Sequence, residues 1–397
     1  MEILFELLAL VQIAAGLFLL WRGMQWLAYV RQRLRTDPGF YAPRTAVLCP
    51  CRGMEPGLER NLVALCEFNH QNYEVFFILA SEQDAAYLTV KRVAASSRVK
   101  ATVIIAGKPA NCSEKVNNLR VCIEQLPPEF EVLVFADSDG RPGKAWLHHM
   151  VAPLNDSRIG ATTTMRWFIP NNNSLPTALL AAWNASVVTM LGGQAKNFCW
   201  GGGTAIRRSV FDQAAVLEEW QHSVSDDYSM TAALRRHNLP ILFLPECLTA
   251  SYVETDFPSL VEFTNRQILI TRVYSPQMWL FAGLTHLLFC ATILLGLAVT
   301  LLSFFTGHPT MQFAALTFLP LLLGALRGAI RVLAVQEILE PLKAQVQNQA
   351  WVHLTLGTAI PFLYALNFIA SLLTRTVRWR GISYELISPQ QTRIVPR

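Results

Sequence analysis

Two acidic pairs stand out by their spacing. Asp137 and Asp139 flank Ser138, while Asp226 and Asp227 lie between Ser225 and Tyr228. Two carboxylates one residue apart, on a chain leaving a buried strand, can approach a hard divalent cation from one side. Mg²⁺ or Mn²⁺ commonly takes such ligands together with phosphate oxygens of a substrate. As a bare triplet the pattern more often serves turn chemistry; the apolar run VLVFA directly before Asp137 raises the metal reading. Taken by itself, the second pair caps a helix, with Ser225 or Asp226 at its start. Residues 200–204 (WGGGT) include Gly202 and Gly203, where a backbone can approach a ligand closely or simply turn. Arg166-Trp167 offers a cation and a ring to a ligand, or ordinary packing. His148 and His149 have no carboxylate or cysteine at ligand spacing and read as surface or core residues.

An α/β scaffold is what would position these groups. Residues 45–49 (TAVLC), 75–79 (VFFIL), 101–105 (ATVII) and 132–136 (VLVFA) are short, apolar and rich in β-branched or aromatic side chains. Helix-length stretches 58–68, 85–97 and 115–125 separate them. Alternation at this spacing predicts a parallel sheet with crossover helices, apolar on both faces. Ligands of such sheets bind beyond the carboxyl ends of the strands, which is where Asp137 stands.

The composition adds a membrane. Of 397 residues, 52% are apolar and only 15% charged, and the mean hydropathy is +0.31, which argues against a wholly water-soluble protein, a disordered chain or a disulfide scaffold. Eight cysteines without a CxxC pair suit buried, reduced thiols. The net charge of +5, without a concentrated basic stretch, suits anionic lipid and gives no sign of nucleic acid.

Residues 3–21 are apolar except for Glu6 and Gln12, and Arg22, Arg31, Arg33 and Arg35 follow, the reverse of a signal peptide's charge order. A spanning helix with its C-terminal end in the cytoplasm is expected, so the central domain should be cytoplasmic. Further apolar runs cover 278–305, 311–334 and 351–373, with an external link at Gly307 and Pro309; Arg327, Arg331 and Lys343 draw the next end inward. If the last run spans, the tail with Arg375, Arg378 and Arg380 ends outside, against the charge rule. Either one of the last two runs is re-entrant or interfacial, or the rule fails; Gly357 and Pro361, and Arg327 and Arg331, permit a bent or shallow helix. Residues 261–274 form an amphipathic candidate for the membrane surface. The expected layout is an anchor at 1–35, a catalytic domain at 36–257, an interfacial segment at 258–277, membrane helices at 278–374 and a basic tail at 375–397.

Taken in order, several stretches resemble the ceramide glucosyltransferase family, a branch of the inverting, lipid-modifying glycosyltransferases of the GT-A fold. They are Pro50-Cys51-Arg52-Gly53-Met54-Glu55-Pro56-Gly57-Leu58 with Asn61-Leu62, Tyr73-Glu74-Val75, Lys115-Val116-Asn117-Asn118-Leu119, Asp137-Ser138, Asp226-Asp227-Tyr228, and Trp379-Arg380-Gly381 with Tyr384 and Leu386. No single motif is specific; their order and spacing from the first strand to the tail are. The resemblance implies a Rossmann-like α/β GT-A domain with one N-terminal and two to three C-terminal transmembrane helices. It also implies a UDP-sugar donor, UDP-glucose first, a Mg²⁺ or Mn²⁺ ion on Asp137 and Asp139, and a lipid acceptor, ceramide first. Pro50, Arg52, Lys115, Asn118, Asp137, Gly202 and Gly203 would then attend the nucleotide, and Asp227 would be the base with Asp226 beside it. Arg166-Trp167 would be open to a sugar or acceptor contact.

Two departures bear on this. Ser81 stands where the family carries its first aspartate, leaving Glu82 or Asp84 for an acidic contact to the nucleobase. The family's Arg-Trp pair is missing from 265–271, leaving Arg272 or Arg266 to steady the leaving pyrophosphate. Rival readings are transfer to a hopanoid, a diacylglycerol or a growing polysaccharide, and a nucleotide-binding subunit of a membrane transporter. The small number of apolar runs disfavours the polysaccharide, and the scarcity of charge within them disfavours the transporter.

Overall fold

Each of the four short apolar runs of the central region is a strand: Thr45–Pro50 (β1), Tyr73–Leu79 (β2), Ala101–Ile105 (β3) and Val132–Ala136 (β4). Helices Leu58–Leu65, Tyr87–Ser96 and Glu114–Gln125 join them, as the spacing predicts. This is a computed structural model, and it describes residues 2–194, 196–307 and 310–396. Alternate side chains serve opposite faces of the sheet. Leu48, Ile78 and Phe135 are buried in one core, and Val47, Phe77 and Val134 in the other. Burial on both sides is why the runs show no polar alternation.

Ala161–Thr163 (β5), Arg166–Pro170 (β6), Gly203–Arg207 (β7), Ile241–Phe243 (β8) and Thr249–Val253 (β9) follow. The main sheet has seven strands in the order β3-β2-β1-β4-β7-β5-β8, and β6 pairs with β9 beside it. β1 pairs in parallel with β2 and β4, and β2 with β3, whereas β7 runs antiparallel to both β4 and β5. That reversal brings the start of β7 to the carboxyl end of β4, with Ala136 opposite Gly203.

Residues 375–397, expected as a basic tail, form a three-stranded antiparallel sheet of Thr376–Trp379 (β10), Ile382–Ser388 (β11) and Gln391–Val395 (β12). Tyr384 and Leu386 are buried. The turn between β10 and β11 places Arg380 and Gly381 at φ 48° and 80°, a left-handed pair that fits the twist of a tight hairpin. This sheet belongs to one compact unit with Gln32–Asn171 and Met190–Glu254. All eight cysteines are free and buried.

The second unit comprises Met1–Arg31, Asn172–Thr189 and Thr255–Thr374. Three of its helices are long and apolar enough to cross a membrane: Glu2–Leu34, Pro276–Thr306 and Thr310–Ile338. Their most apolar windows are only 17%, 33% and 28% buried, so large hydrophobic faces need lipid. Gly16 lies against Leu323 and Gly296 against Thr317 and Phe5, small residues that let helices approach closely. The last apolar run breaks into Ala350–Thr358 and Ile360–Leu373 with a 55° bend, at the Gly357 and Pro361 positions. Pro309, in the expected external link, lies outside the described residues. The amphipathic candidate is a helix, Phe257–Tyr274, capped by Asp256, which accepts from Ser259 N. Helix Leu175–Val188 also belongs to this unit although it falls inside the expected 36–257 domain; ten of its fourteen residues are buried, so it is a core helix of the membrane unit.

Candidate active site

Lys115 stands at the centre of the strand ends. Ser113 caps its helix, accepting from Val116 N, and so fixes the first turn on which Lys115 sits. Its Nζ lies 2.8 Å from Asp137 Oδ1, 3.1 Å from Asp226 Oδ2 and 3.1 Å from the carbonyl oxygen of Gly201. Asp137 arrives from the end of β4, Gly201 from the turn before β7, and Asp226 from the start of helix Asp226–Arg236, which Ser225 caps by accepting from Tyr228 N. Three separate stretches thus meet at the ammonium group that a fourth, the Lys115 helix, presents.

The glycines are steric requirements of this meeting. A Cβ on Gly201 would come within 2.7 Å of Lys115 Nζ, and one on Gly202 within 2.7 Å of Asp137 Cγ. Gly203 leaves no room for a Cβ beside Thr164 and the Trp200 ring. Trp220 donates its indole N–H to the carbonyl of Asp226 at 3.0 Å and holds that turn from behind.

Burial and charge set the protonation states. Burial alone would lower the Lys115 pKa, but Asp137 and Asp226 outweigh it and hold the ammonium charged. Asp137 stays below the usual carboxylate range because Lys115 and Arg166 overcome its burial. Asp226 is pushed up to about 6 by burial, which Lys115 opposes and Asp227 and Asp137 reinforce. Asp139 is raised by burial, with Arg166 opposing.

Arg166 Nη1 meets Asp139 Oδ2 at 2.7 Å, and its guanidinium lies over the rings of Phe168 and Trp200. Asp139 Oδ1 is buried without a hydrogen-bond partner among the described residues. No group of three His, Cys, Asp or Glu side chains converges among the described residues. A cation at this strand end would take Asp137 and Asp139 as its protein donors and its remaining ligands from a substrate.

The loop after β1 is braced from several sides. Arg52 pairs with Glu114 at 2.6 Å, and Gly53 N donates to Asp84 Oδ1 at 2.8 Å. Pro50 ends β1 and leads into this loop. Arg380 pairs with Glu55 and donates to the carbonyl of Arg52, while Ser138 Oγ donates to Glu55 Oε2 at 3.4 Å. Glu114 N donates to the Tyr384 hydroxyl at 3.2 Å, so the β10–β12 sheet holds both this loop and the first turn of the Lys115 helix.

Of the expected residues, Lys115, Asp137, Asp226, Gly202 and Gly203 come together, with Asp139 joined through Arg166. Asn118 lies one turn along the helix from Lys115, buried, its Oδ1 without a partner among the described residues. Asp227 is half-buried, accepting from Ser225 Oγ and, at 2.8 Å, from Tyr228 N. Ser81 bonds Gln83, Glu82 accepts from the Tyr87 hydroxyl at 3.3 Å, and Asp84 Oδ1 also accepts from Ala86 N at 2.8 Å. Arg266 and Arg272 belong to the membrane unit. Arg272 there donates to the carbonyls of Ser371 and Thr374 and lies over Trp279, and Arg266 lies over Phe263. Sequence reasoning gave no role to Glu55 or Trp200 and weighed Arg166 only as a sugar or acceptor contact. The motifs that contain them were the available signal.

Among solved structures, the chain is similar to the mannosyltransferase PcManGT from Pyrobaculum calidifontis in complex with GDP-Man and Mn²⁺, at 16% identity over 93% of this chain and 98% of that one, with a TM-score of 0.49. It is also similar to glucosyl-3-phosphoglycerate synthase from Mycobacterium tuberculosis in complex with phosphoglyceric acid, at 14% identity over 58% of this chain and 79% of that one, with a TM-score of 0.36. The model of glycosyl transferase family 21 matches residues 3–392, and with nearly its whole length matched the chain belongs to that family of glycosyltransferases.

Proposed function

We propose that the protein is a membrane-bound inverting glycosyltransferase that carries a hexose, glucose from UDP-glucose first, to the hydroxyl of a membrane lipid, ceramide first. The observation that carries this reading is the buried Lys115 ammonium held between Asp137 and Asp226 under the Gly201–Gly202 turn. It is a fixed positive charge at the carboxyl ends of a parallel sheet, where a diphosphate would dock. The choice of UDP-glucose and ceramide rests on the family resemblance.

The three inner carboxylates Asp137, Asp139 and Asp226 outnumber Lys115 and Arg166, so a dianionic diphosphate needs further positive charge to approach. Asp137 and Asp139 would hold a Mg²⁺ or Mn²⁺ ion, which when bound supplies Lewis-acid stabilisation to the diphosphate oxygens. Lys115 adds a preorganised charge there, of the kind whose removal typically costs roughly 2.7–4 kcal/mol of transition-state stabilisation. The acceptor oxygen forms its bond to the anomeric carbon as the bond to the β-phosphate oxygen breaks, and the hydroxyl proton passes to Asp227. Proton removal by a positioned carboxylate contributes about 10²- to 10⁴-fold. Asp226 anchors Lys115 and keeps negative charge beside the base.

The topology supports a lipid acceptor. The stretches Gln32–Asn171 and Arg375–Arg397 share one unit, tied by Arg380–Glu55 and Glu114–Tyr384, so both belong on one side of a bilayer. An even number of crossings then separates them. Helices Pro276–Thr306 and Thr310–Ile338 would supply two, which favours a re-entrant reading of the bent last segment, and the arginines after the first helix favour a cytoplasmic catalytic unit. The partners of this enzyme are a nucleotide-sugar donor, a lipid acceptor and the bilayer.

The test is to incubate purified membranes with a panel of UDP-sugars and lipid acceptors, with and without Mg²⁺ or Mn²⁺, and to identify products by mass. A metal-dependent hexosylceramide supports the reading. Product with a hopanoid or diacylglycerol but with no ceramide would move the acceptor, and product formed in full after chelation would overturn the metal.

A further inference from the structure

Several buried polar side chains of the membrane unit have partners. Gln336 donates to Gln347, Asn367 donates to Thr264 at 3.0 Å, and Trp279 donates to Ser371 Oγ at 3.0 Å. Arg331 does not. It is only 7% exposed, its Nε is fully buried, and it makes no hydrogen bond or ion pair among the described residues. One turn earlier Arg327, half-buried, has a single long contact from Nη2 to Thr189 Oγ1 at 3.4 Å. Four apart on one helix, the two guanidinium groups share a face. Glu337, the next acid along that helix, is engaged by Arg31 at 2.6 Å.

This face is built, not incidental. Gly328 sits between the two arginines because a Cβ there would strike the carbonyl of His353, and Gly324 faces Thr358. The helix thus lies bare against the broken segment 350–358. Tyr364 is within electrostatic reach of Arg331, its ring stacked between Trp183 at 5.0 Å and His286 at 4.7 Å, its hydroxyl 3.0 Å from Ser186 Oγ. Arginine does not shed its proton, and an unpaired cation enclosed by apolar helices is costly. Two such cations one turn apart repel one another as well. An anion between them answers both costs, and a phosphate accepts the planar donor fork best.

The depth suits a lipid. The half-exposed Arg31–Glu337 pair marks the watery end of these helices. At 1.5 Å per residue Arg331 lies about 9 Å and Arg327 about 15 Å further in, below a headgroup layer of roughly 5–7 Å, and their side chains are long enough to reach back along the helix toward the phosphates. We propose that Arg327 and Arg331 form a phosphate-binding site within the membrane unit, occupied by the headgroup phosphate of an anionic lipid or by free phosphate. The proposal does not depend on the glycosyl-transfer reading.

The full chain would be purified with phosphatidylglycerol or phosphatidylcholine and the retained lipid counted by native mass spectrometry. Wild type should retain phosphatidylglycerol at least about tenfold better than R327Q/R331Q, a loss matching one or two charge-assisted hydrogen bonds. An R35Q control, exposed near the water-facing end, should retain it like wild type. R327K/R331K keeps the charges and should bind at an intermediate level. If the Gln variant does not fold, wild type and the Lys variant are compared by melting. A rise in Tm with phosphatidylglycerol over phosphatidylcholine that is larger for arginine supports the site. A rise with inorganic phosphate alone, lost in the variants, assigns the same site to free phosphate. Equal lipid retention by wild type and R327Q/R331Q, or melting that neither phosphate source alters, would overturn it.

Discussion

Gly202 offers the sharpest probe of the Lys115 cluster. A Cβ built there lies 2.7 Å from Asp137 Cγ and closer still to its Oδ2 and to the Trp200 ring, against an ordinary contact of roughly 3.5 Å. At least about 0.8 Å must be found, from the carboxylate and the Trp200 ring together. Asp137 cannot easily give it, because its side chain is short, Lys115 holds Oδ1 at 2.8 Å, and the preceding residue is locked in register opposite Gly203. Gly202→Ala should therefore displace the carboxylate, and a misplacement approaching 1 Å costs on the order of 10² in rate. Overpacking should cost about 1–3 kcal/mol in stability, so the variant still folds in a stable background. Gly143→Ala is the control, since nothing lies within 4 Å of its Cβ and its φ is ordinary. Initial rates of sugar transfer, with melting curves in the same detergent, read both effects. Wild-type kcat/KM in Gly202→Ala, or equal losses in both variants, would refute the reasoning that this glycine is a steric condition of the site.

Arg380→Asn should raise the donor KM about tenfold with kcat changed less than about threefold, because Asn tolerates the left-handed turn but releases Glu55 and the loop after β1; an unchanged donor KM would deny the hairpin its positioning role. Ser225→Ala removes the cap under Asp226 and Asp227 and should cost about 1 kcal/mol by thermal unfolding. Burial, aided by His148, holds His70 and His149 below the usual imidazole range, against the pull of Glu246 on His149. At these two sites the unfolded chain then binds more protons, so their contribution is full above about pH 6.5 and falls as pH drops below it, by at most about 1.4 kcal/mol per pH unit for each histidine, while Asp226, raised to about 6, opposes the fall below that pH. Melting between pH 7.5 and 5.5 checks this, and His70→Asn should flatten the slope.

What the sequence made legible was local. β4 and Asp137 could be placed together because five apolar residues end on an acid, and the Ser225 cap because serine before two acids is a helix start. The break at Gly357 and Pro361 was readable for the same reason. The partners of those groups were not. Gly202 reaches Asp137 because β7 returns antiparallel beside β4, and Arg166 reaches Asp139 from β6, paired with the distant β9, registers no local pattern encodes. The 375–397 stretch looked like a charged tail, since its short strands alternate exposed Arg and Gln with a few buried residues. Its role emerges only when Tyr384 and Arg380 meet residues some 270 and 325 positions earlier. Helix Leu175–Val188 was missed because small and apolar residues all round it give no amphipathic signal.

The most direct test of the central claim is the Asp227→Asn variant, assayed for donor binding and for turnover with lipid acceptor under the same metal. The account predicts donor affinity within about twofold of wild type and turnover reduced by about 10²- to 10⁴-fold. Turnover at the wild-type rate would remove Asp227 as the base and with it the proposed transfer mechanism.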